Sequence, residues 1–192
     1  MSEAHAPSAA LAPTVLPFPR QRPFPQDSTA RAAFADYYRQ DFLSLTRFVM
    51  RLGATAYEAA DAAQSAFVLA YEQWESLRNP RAWLRTVAKR RLHVLRSGTA
   101  REQPADQLPD LPGGRCPVAA VELGEEEARV YEALSWLPPR QREVMAWTLD
   151  GYRPQEIAQI MGIAPETARK NLERGRTLLK QALLKPAGGS GQ

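Results

Sequence analysis

The sequence predicts an all-α protein: two small helical bundles joined by a flexible linker. Three observations predict it. Apolar residues recur at three- to four-residue spacing through two blocks, residues 30–97 and 124–185. No segment alternates polar and apolar residues long enough to argue for a strand. Proline- and glycine-rich stretches break the chain before, between and after the blocks. Six of the 16 prolines fall in the first 25 residues (Pro7, Pro13, Pro17, Pro19, Pro23, Pro25), so residues 1–29 read as a disordered arm. Residues 98–123 hold Pro104, Pro109, Pro112, Gly113, Gly114 and Pro117 and read as a linker longer than compact domains usually carry. Residues 186–192 read as a flexible tail. Each ordered block is near the small end for independent folding, which favours compact bundles of helices.

The first block opens with Phe34, Tyr38, Phe42, Leu45, Val49 and Leu52 on one face, and Gly53 is a natural stop. Thr55 and Glu58 have the spacing of a capping box, in which hydroxyl and carboxylate each accept from the other's backbone amide. Ala60, Ala63, Phe67, Ala70, Tyr71 and Trp74 form the next stripe. Asn79-Pro80 suits an N-cap followed by a first-turn proline, opening a helix with Leu84, Val87, Ala88, Leu92 and Leu95 inward.

In the second block, Glu125, Glu126 and Glu127 favour a helix N-terminus, and Val130, Leu134 and Leu137 carry the inner face. Pro138-Pro139 ends that helix and starts another through Val144, Met145 and Leu149, stopped by Gly151. A short helix from Pro154 to Met161, a turn at Gly162-Ile163-Ala164 and a long helix from Pro165 to about Leu184 have helix-turn-helix spacing.

Composition excludes several classes of function. The 192 residues leave no room for a large enzyme core, and one cysteine with two histidines cannot build a closed tetrahedral zinc site. No apolar run approaches the roughly 20 residues of a bilayer span, and prolines interrupt the N-terminal apolar residues where a secretory signal would need them continuous. No compact Asp/Glu/His cluster, phosphate-cradling glycine loop or Ser/His/Asp arrangement stands out. The expectation is a cytoplasmic protein without a cofactor or membrane insertion. The net charge of +4 matters less than where the charge lies.

The long final helix has Ala168, Leu172, Gly175, Leu179 and Leu183 inward and Arg169, Lys170, Arg174, Arg176 and Lys180 elsewhere. In a helix-turn-helix the second helix enters the major groove and its first turns reach base edges. Glu166, Thr167, Arg169 and Lys170 occupy that stretch, and Arg pairs both acceptors of a guanine. The alternative is a solvated basic face. A second basic row, Arg81, Arg85 and Lys89, lies on the helix from Pro80, where no carboxylate occurs between Arg81 and Ser97. Unpaired cations at that spacing repel, which points to an external polyanion. Trp74 and Trp83 lie beside the row, flanking the loop from Glu75 to Asn79, either as stacking platforms for unpaired bases or as core.

At these residues the chain resembles the extracytoplasmic-function sigma factors of the sigma-70 family. Leu137 through Val144 (LPPRQREV), Gly151, Glu156-Ile157-Ala158, Gly162-Ile163 and Thr167 through Arg176 look like the sigma-4 domain. Glu58, Asp61, Gln64, Phe67, Ala70, Pro80, Trp83 and Leu84 look like the sigma-2 domain. The resemblance implies a non-catalytic initiation subunit that binds the β′ clamp helices of core RNA polymerase and promoter DNA. It implies minus-thirty-five recognition by Glu166, Thr167, Arg169, Lys170 and Asn171, with Arg140, Arg142 and Arg174 on phosphates. It implies capture of the minus-ten element by Trp74, the loop from Glu75 to Asn79, and Arg81, Arg85 and Lys89. Asp61, Gln64 and Phe67 would face polymerase, with core as the other reading of Phe67. An anti-sigma protein is a further implied partner. The chain departs from the family pattern at Ala60 and Ser65, where acidic residues are usual, at Arg90 and Val94, where Asn and Asp are frequent, and at Arg153, where Ser or Thr caps. A DNA-binding regulator working without polymerase is the alternative function.

Overall fold

The computed structural model describes residues 27–98 and 123–184. The proline-rich arm up to Gln26, most of the linker with Cys116, and the tail lie outside the described residues. The described elements are α1 (Ser28–Arg51), α2 (Ala56–Tyr71), a 3-10 turn (Trp74–Ser76), α3 (Pro80–Arg96), α4 (Glu125–Ser135), α5 (Pro139–Leu149), α6 (Pro154–Met161) and α7 (Pro165–Leu184). No strand occurs among them.

Local signals set most boundaries. α1 begins earlier than its apolar stripe, because the Asp27 carboxylate accepts from the Thr29 amide at 3.0 Å. α2 starts at the Thr55–Glu58 box: Thr55 Oγ1 accepts from the Glu58 amide (3.2 Å) and the Glu58 carboxylate accepts from the Thr55 amide (2.7 Å). α3 starts where Asn79 Oδ1 accepts from the Ala82 amide at 3.2 Å, with Pro80 in the first turn.

The α1–α3 bundle is assembled on an alanine face. Ala59, Ala62, Ala63, Ala66 and Ala70 of α2 have no exposed surface, so α1 and α3 approach closely on either side. The aromatic residues gather at one end, where Phe34, Tyr38 and Phe42 surround Phe67. The α4–α7 bundle closes around Leu134, Leu137, Val144, Met145, Ile157, Ala168 and Leu172. At Gly175 a side chain would meet Met145 Cγ at 2.9 Å, so α7 crosses α5 at a distance that only glycine allows without displacing a buried residue.

The two bundles dock, and their cores are continuous. Phe48 of α1 and Trp147 of α5 pack with ring centroids 4.7 Å apart, both fully buried. In α5, Leu149 is 45% exposed, while Trp147 takes the interior.

Glu58 carries a pH signature. Its hydrogen bonds from Arg96 (3.2 Å) and then from the Thr55 amide lower its pKa from 4.5 to about 2. A carboxylate depressed in the folded state contributes stability that is present above its unfolded pKa and lost as pH falls through the folded one. Glu58→Gln is therefore expected to flatten the acid-induced loss of stability between about pH 4.5 and 2, read by urea unfolding at several pH values. An unchanged slope would count against this role.

Candidate nucleic-acid interface

The turn before α7 sets the direction of its basic face. Gly162 adopts the left-handed conformation (φ 63°, ψ 40°) and ends α6, and the Ile163 amide donates to Ala158 O at 3.0 Å. At the other end of α6, Arg153 offers no capping oxygen, yet the Glu156 carboxylate accepts from the Arg153 amide at 2.7 Å, so half of a capping box survives. With Ala168, Leu172 and Gly175 buried, Glu166, Thr167, Arg169, Lys170 and Arg174 are all exposed. Glu166 and Arg169 form an exposed pair at 3.4 Å, worth about 0–1 kcal/mol and readily exchanged for a base or phosphate. Asn171 is half-buried and donates to Thr167 O at 2.9 Å.

Arg140, in the first turn of α5, is exposed, but Arg142 is not free for a phosphate. Its guanidinium donates to Ser135 O, to Leu137 O (3.0 Å) and to Leu52 O (3.4 Å), satisfying carbonyls at the C-terminal ends of α4 and α1. The phosphate role expected for Arg142 is corrected to that of a clasp between bundles. Arg142→Ala is expected to cost about 1–3 kcal/mol of stability, measured as a shift in the urea midpoint.

The row Arg81, Arg85, Lys89 exists as spaced, but its members are paired. Arg85 is fully buried. Its Nε donates to Asp150 Oδ2 (2.8 Å), its Nη2 to Asp41 Oδ1 (2.8 Å) and Ser44 Oγ (3.0 Å), and its Nη1 to the other Asp41 oxygen. Burial alone would lower the guanidinium's pKa, but the Asp41 and Asp150 carboxylates outweigh it and hold the pKa above its ordinary value. Arg81 donates to Asp150 O at 2.6 Å and lies 5.6 Å from the Tyr152 ring centroid. Lys89 Nζ donates to Glu143 Oε1 at 2.6 Å. These carboxylates come from α1, from α5 and from Asp150 at its end, so the α3 sequence could not disclose them. Beside them, Gln40, Arg47, Arg51 and Arg81 line a cleft of about 330 Å³ between the bundles.

The remaining expected residues divide by burial. Trp74 is half-buried, with Phe34 edge-on at 5.2 Å and Tyr37 at 5.2 Å, and it heads the 3-10 turn that occupies part of the expected loop. Glu75 and Asn79 are exposed. On α2, Asp61 is exposed and Gln64 half-buried. Phe67 is 2% exposed and its ring lies 4.9 Å from Tyr38, so the polymerase-facing reading of Phe67 is corrected to core. Among the described residues no group of three or more His, Cys, Asp or Glu could hold a metal ion, and no helix is long and apolar enough to cross a membrane.

Comparison with known proteins places both bundles. Residues 38–101 match the family model of sigma-70 region 2, and residues 127–179 match that of sigma-70 region 4. The chain is 29% identical over 161 residues to the RNA polymerase sigma-E factor of Streptomyces avermitilis, covering 78% of this chain and 84% of that protein. It is 26% identical over 157 residues to the probable RNA polymerase sigma factor RfaY of Xanthomonas campestris, covering 73% of this chain but only 38% of that protein. In fold it is similar to the sigma factor RpoE of Bartonella quintana, solved with the anti-sigma factor NepR (TM-score 0.60, 21% identity, 80% of this chain and 98% of that one). It is likewise similar to CnrH, solved with the cytosolic domain of CnrY (TM-score 0.56, 22% identity, 80% of this chain and 88% of that one).

Proposed function

This chain belongs to the sigma-70 family, in its extracytoplasmic-function branch, and from that premise we propose that it binds core RNA polymerase and directs promoter-specific initiation without catalysis of its own. In this reading the bundle of residues 124–185 reads the minus-thirty-five duplex, and that of 30–97 engages the clamp helices through Asp61 and Gln64 and the minus-ten element through α3 and the loop before it. The supporting observation is the first turns of α7: Glu166, Thr167, Arg169 and Lys170 stand exposed together behind a left-handed glycine turn, as groove entry requires. Arg140, exposed at the start of α5, would meet a phosphate in this reading. An anti-sigma protein as partner belongs to the same proposal, supported by the similar fold of RpoE, which was solved with the anti-sigma factor NepR.

Run-off transcription with purified core polymerase tests it. A sigma factor confers promoter-specific transcripts; a helix-turn-helix regulator needs another sigma subunit present. On the selected promoter, Arg169→Ala is expected to weaken duplex binding by about 1–3 kcal/mol and relax one position, while Arg140→Ala weakens all sequences alike. If Arg169→Ala leaves sequence preference intact, α7 is in another register.

A further inference from the structure

We propose that the cleft between α1, the start of α3 and the end of α5 is a binding site for a small phosphate-bearing molecule of mononucleotide size. The inference does not rest on the promoter role: the residues that carry it are chiefly on α1, which that role leaves unused.

Three observations support it. The first is an excess of cations at one place. Arg47, Arg51 and Arg81 line the cleft with a single carboxylate, Asp150. That carboxylate is already shared: Arg85 Nε donates to its Oδ2 at 2.8 Å, Arg81 lies 3.4 Å from the same oxygen, and Arg51 lies 3.9 Å from the other. With Asp41 on Arg85 and Glu127 on Arg47, four guanidiniums face three carboxylates. Arg47 and Arg51, one turn apart on α1, repel unless an anion lies beside both.

The second is unused hydrogen-bonding capacity. A guanidinium carries five N–H donors. Among the described residues that of Arg51 makes no hydrogen bond, since its ion pair is too long for one. Arg47 Nε is buried without a hydrogen-bond partner, although Glu127 lies 3.3 Å away. Arg81 donates once, to Asp150 O at 2.6 Å. A buried N–H without an acceptor is costly, and an incoming oxyanion would satisfy it.

The third is access and shape. The Arg47, Arg51 and Arg81 side chains keep 35%, 22% and 50% of their surface, so a dissolved ligand reaches them, yet they are covered enough to be less screened by salt than free charges. The volume of about 330 Å³ is at the low end for small-molecule sites, ~300–1,000 Å³, and a bare ion would leave most of it empty. Leu43 and Leu149 supply apolar walls for an organic moiety, and Gln40 an amide beside them. Ser44 Oγ accepts from Arg85 at 3.0 Å and keeps its own O–H to donate. Arg51 and Arg81 approach opposite oxygens of Asp150, so their forks converge from different sides. A planar carboxylate fills one such fork, whereas the tetrahedral oxygens of a phosphate accept from several.

The test is fluorescence anisotropy of a mant-labelled nucleoside diphosphate titrated with the full chain. Saturable binding is expected, displaced by pyrophosphate and by the unlabelled nucleotide but not by the nucleoside without phosphate. Arg51→Gln is expected to weaken it about tenfold, the loss of a charge-assisted hydrogen bond. Leu149→Glu brings a carboxylate to the cleft wall from a position that is 45% exposed, so the fold tolerates it, and is expected to weaken binding about tenfold as well. Arg90→Gln with Arg176→Gln removes charge at exposed positions of both basic helices and should change affinity less than about twofold. Equal weakening in that pair means that the nucleotide is held by the nucleic-acid surfaces and overturns the site. Full binding by Leu149→Glu overturns it whatever Arg51→Gln does to the fold. So does displacement by the bare nucleoside, or a wild-type Kd weaker than about 1 mM.

Discussion

Trp147→Ala is expected to lower the unfolding free energy by about 3–5 kcal/mol, the range for emptying a buried aromatic site. The indole has no exposed surface and touches both bundles, with Phe48 of α1 at 4.7 Å and Tyr152 at 5.0 Å in an edge-on contact. The cavity would open in the continuous part of the core, where neither bundle can collapse inward without losing the other. Its Nε1 is buried with no hydrogen-bond partner, so the stabilisation comes from packing, against the cost of a desolvated N–H. Trp147→Phe should therefore recover most of the loss. Urea unfolding of the two variants measures both effects. If Trp147→Ala costs under about 1 kcal/mol, the docked interface is not part of the folded core.

The same residue marks how far the sequence reaches. The bounds of α6 and α7, the Thr55–Glu58 box and the Gly162 turn were all legible, because the groups that set them lie within a few positions of each other. α5 was legible as a helix but not as to its faces. Val144, Met145, Ala146 and Trp147 are consecutive and all buried, since α1 covers one side and α7 another, and a helix buried on several sides has no apolar stripe to read. This is why the spacing of Val144, Met145 and Leu149 gives the helix but not the burial of Trp147. Charge misled for a related reason. α3 carries no carboxylate of its own, so its row looked unpaired, yet the partners of Arg85 lie 44 and 65 residues away. Arg142 likewise shares a basic turn with Arg140, and only the approach of Leu52 and Ser135 separates their roles.

Arg85→Ala is the second change with a large expected effect, a loss of about 3–5 kcal/mol, because it removes the fully buried cation shared by two carboxylates rather than one exposed cation. The Asp41 and Asp150 side chains are 13% and 2% exposed; without Arg85, Asp150 keeps Arg81 at 3.4 Å and Arg51 at 3.9 Å, and Asp41 keeps Tyr37. Lys89→Ala, by contrast, breaks a pair in which the lysine is 36% exposed, and should cost about 1 kcal/mol or less. Adding Asp41→Asn and Asp150→Asn to Arg85→Ala should restore part of the loss, since the carboxylate charge left without its guanidinium, not the missing contact area, is the dominant penalty. Chemical unfolding of the series decides it, and Arg85→Ala no worse than Lys89→Ala would mean that the guanidinium is solvated in solution. The ordering also bears on what the cations of α3 do in the docked fold. A cation that only held DNA would sit free and tolerate alanine in the absence of DNA. One that anchors the docked form makes its loss visible in stability before any strand is added, and it ties the polar face of α3 to the position of the second bundle.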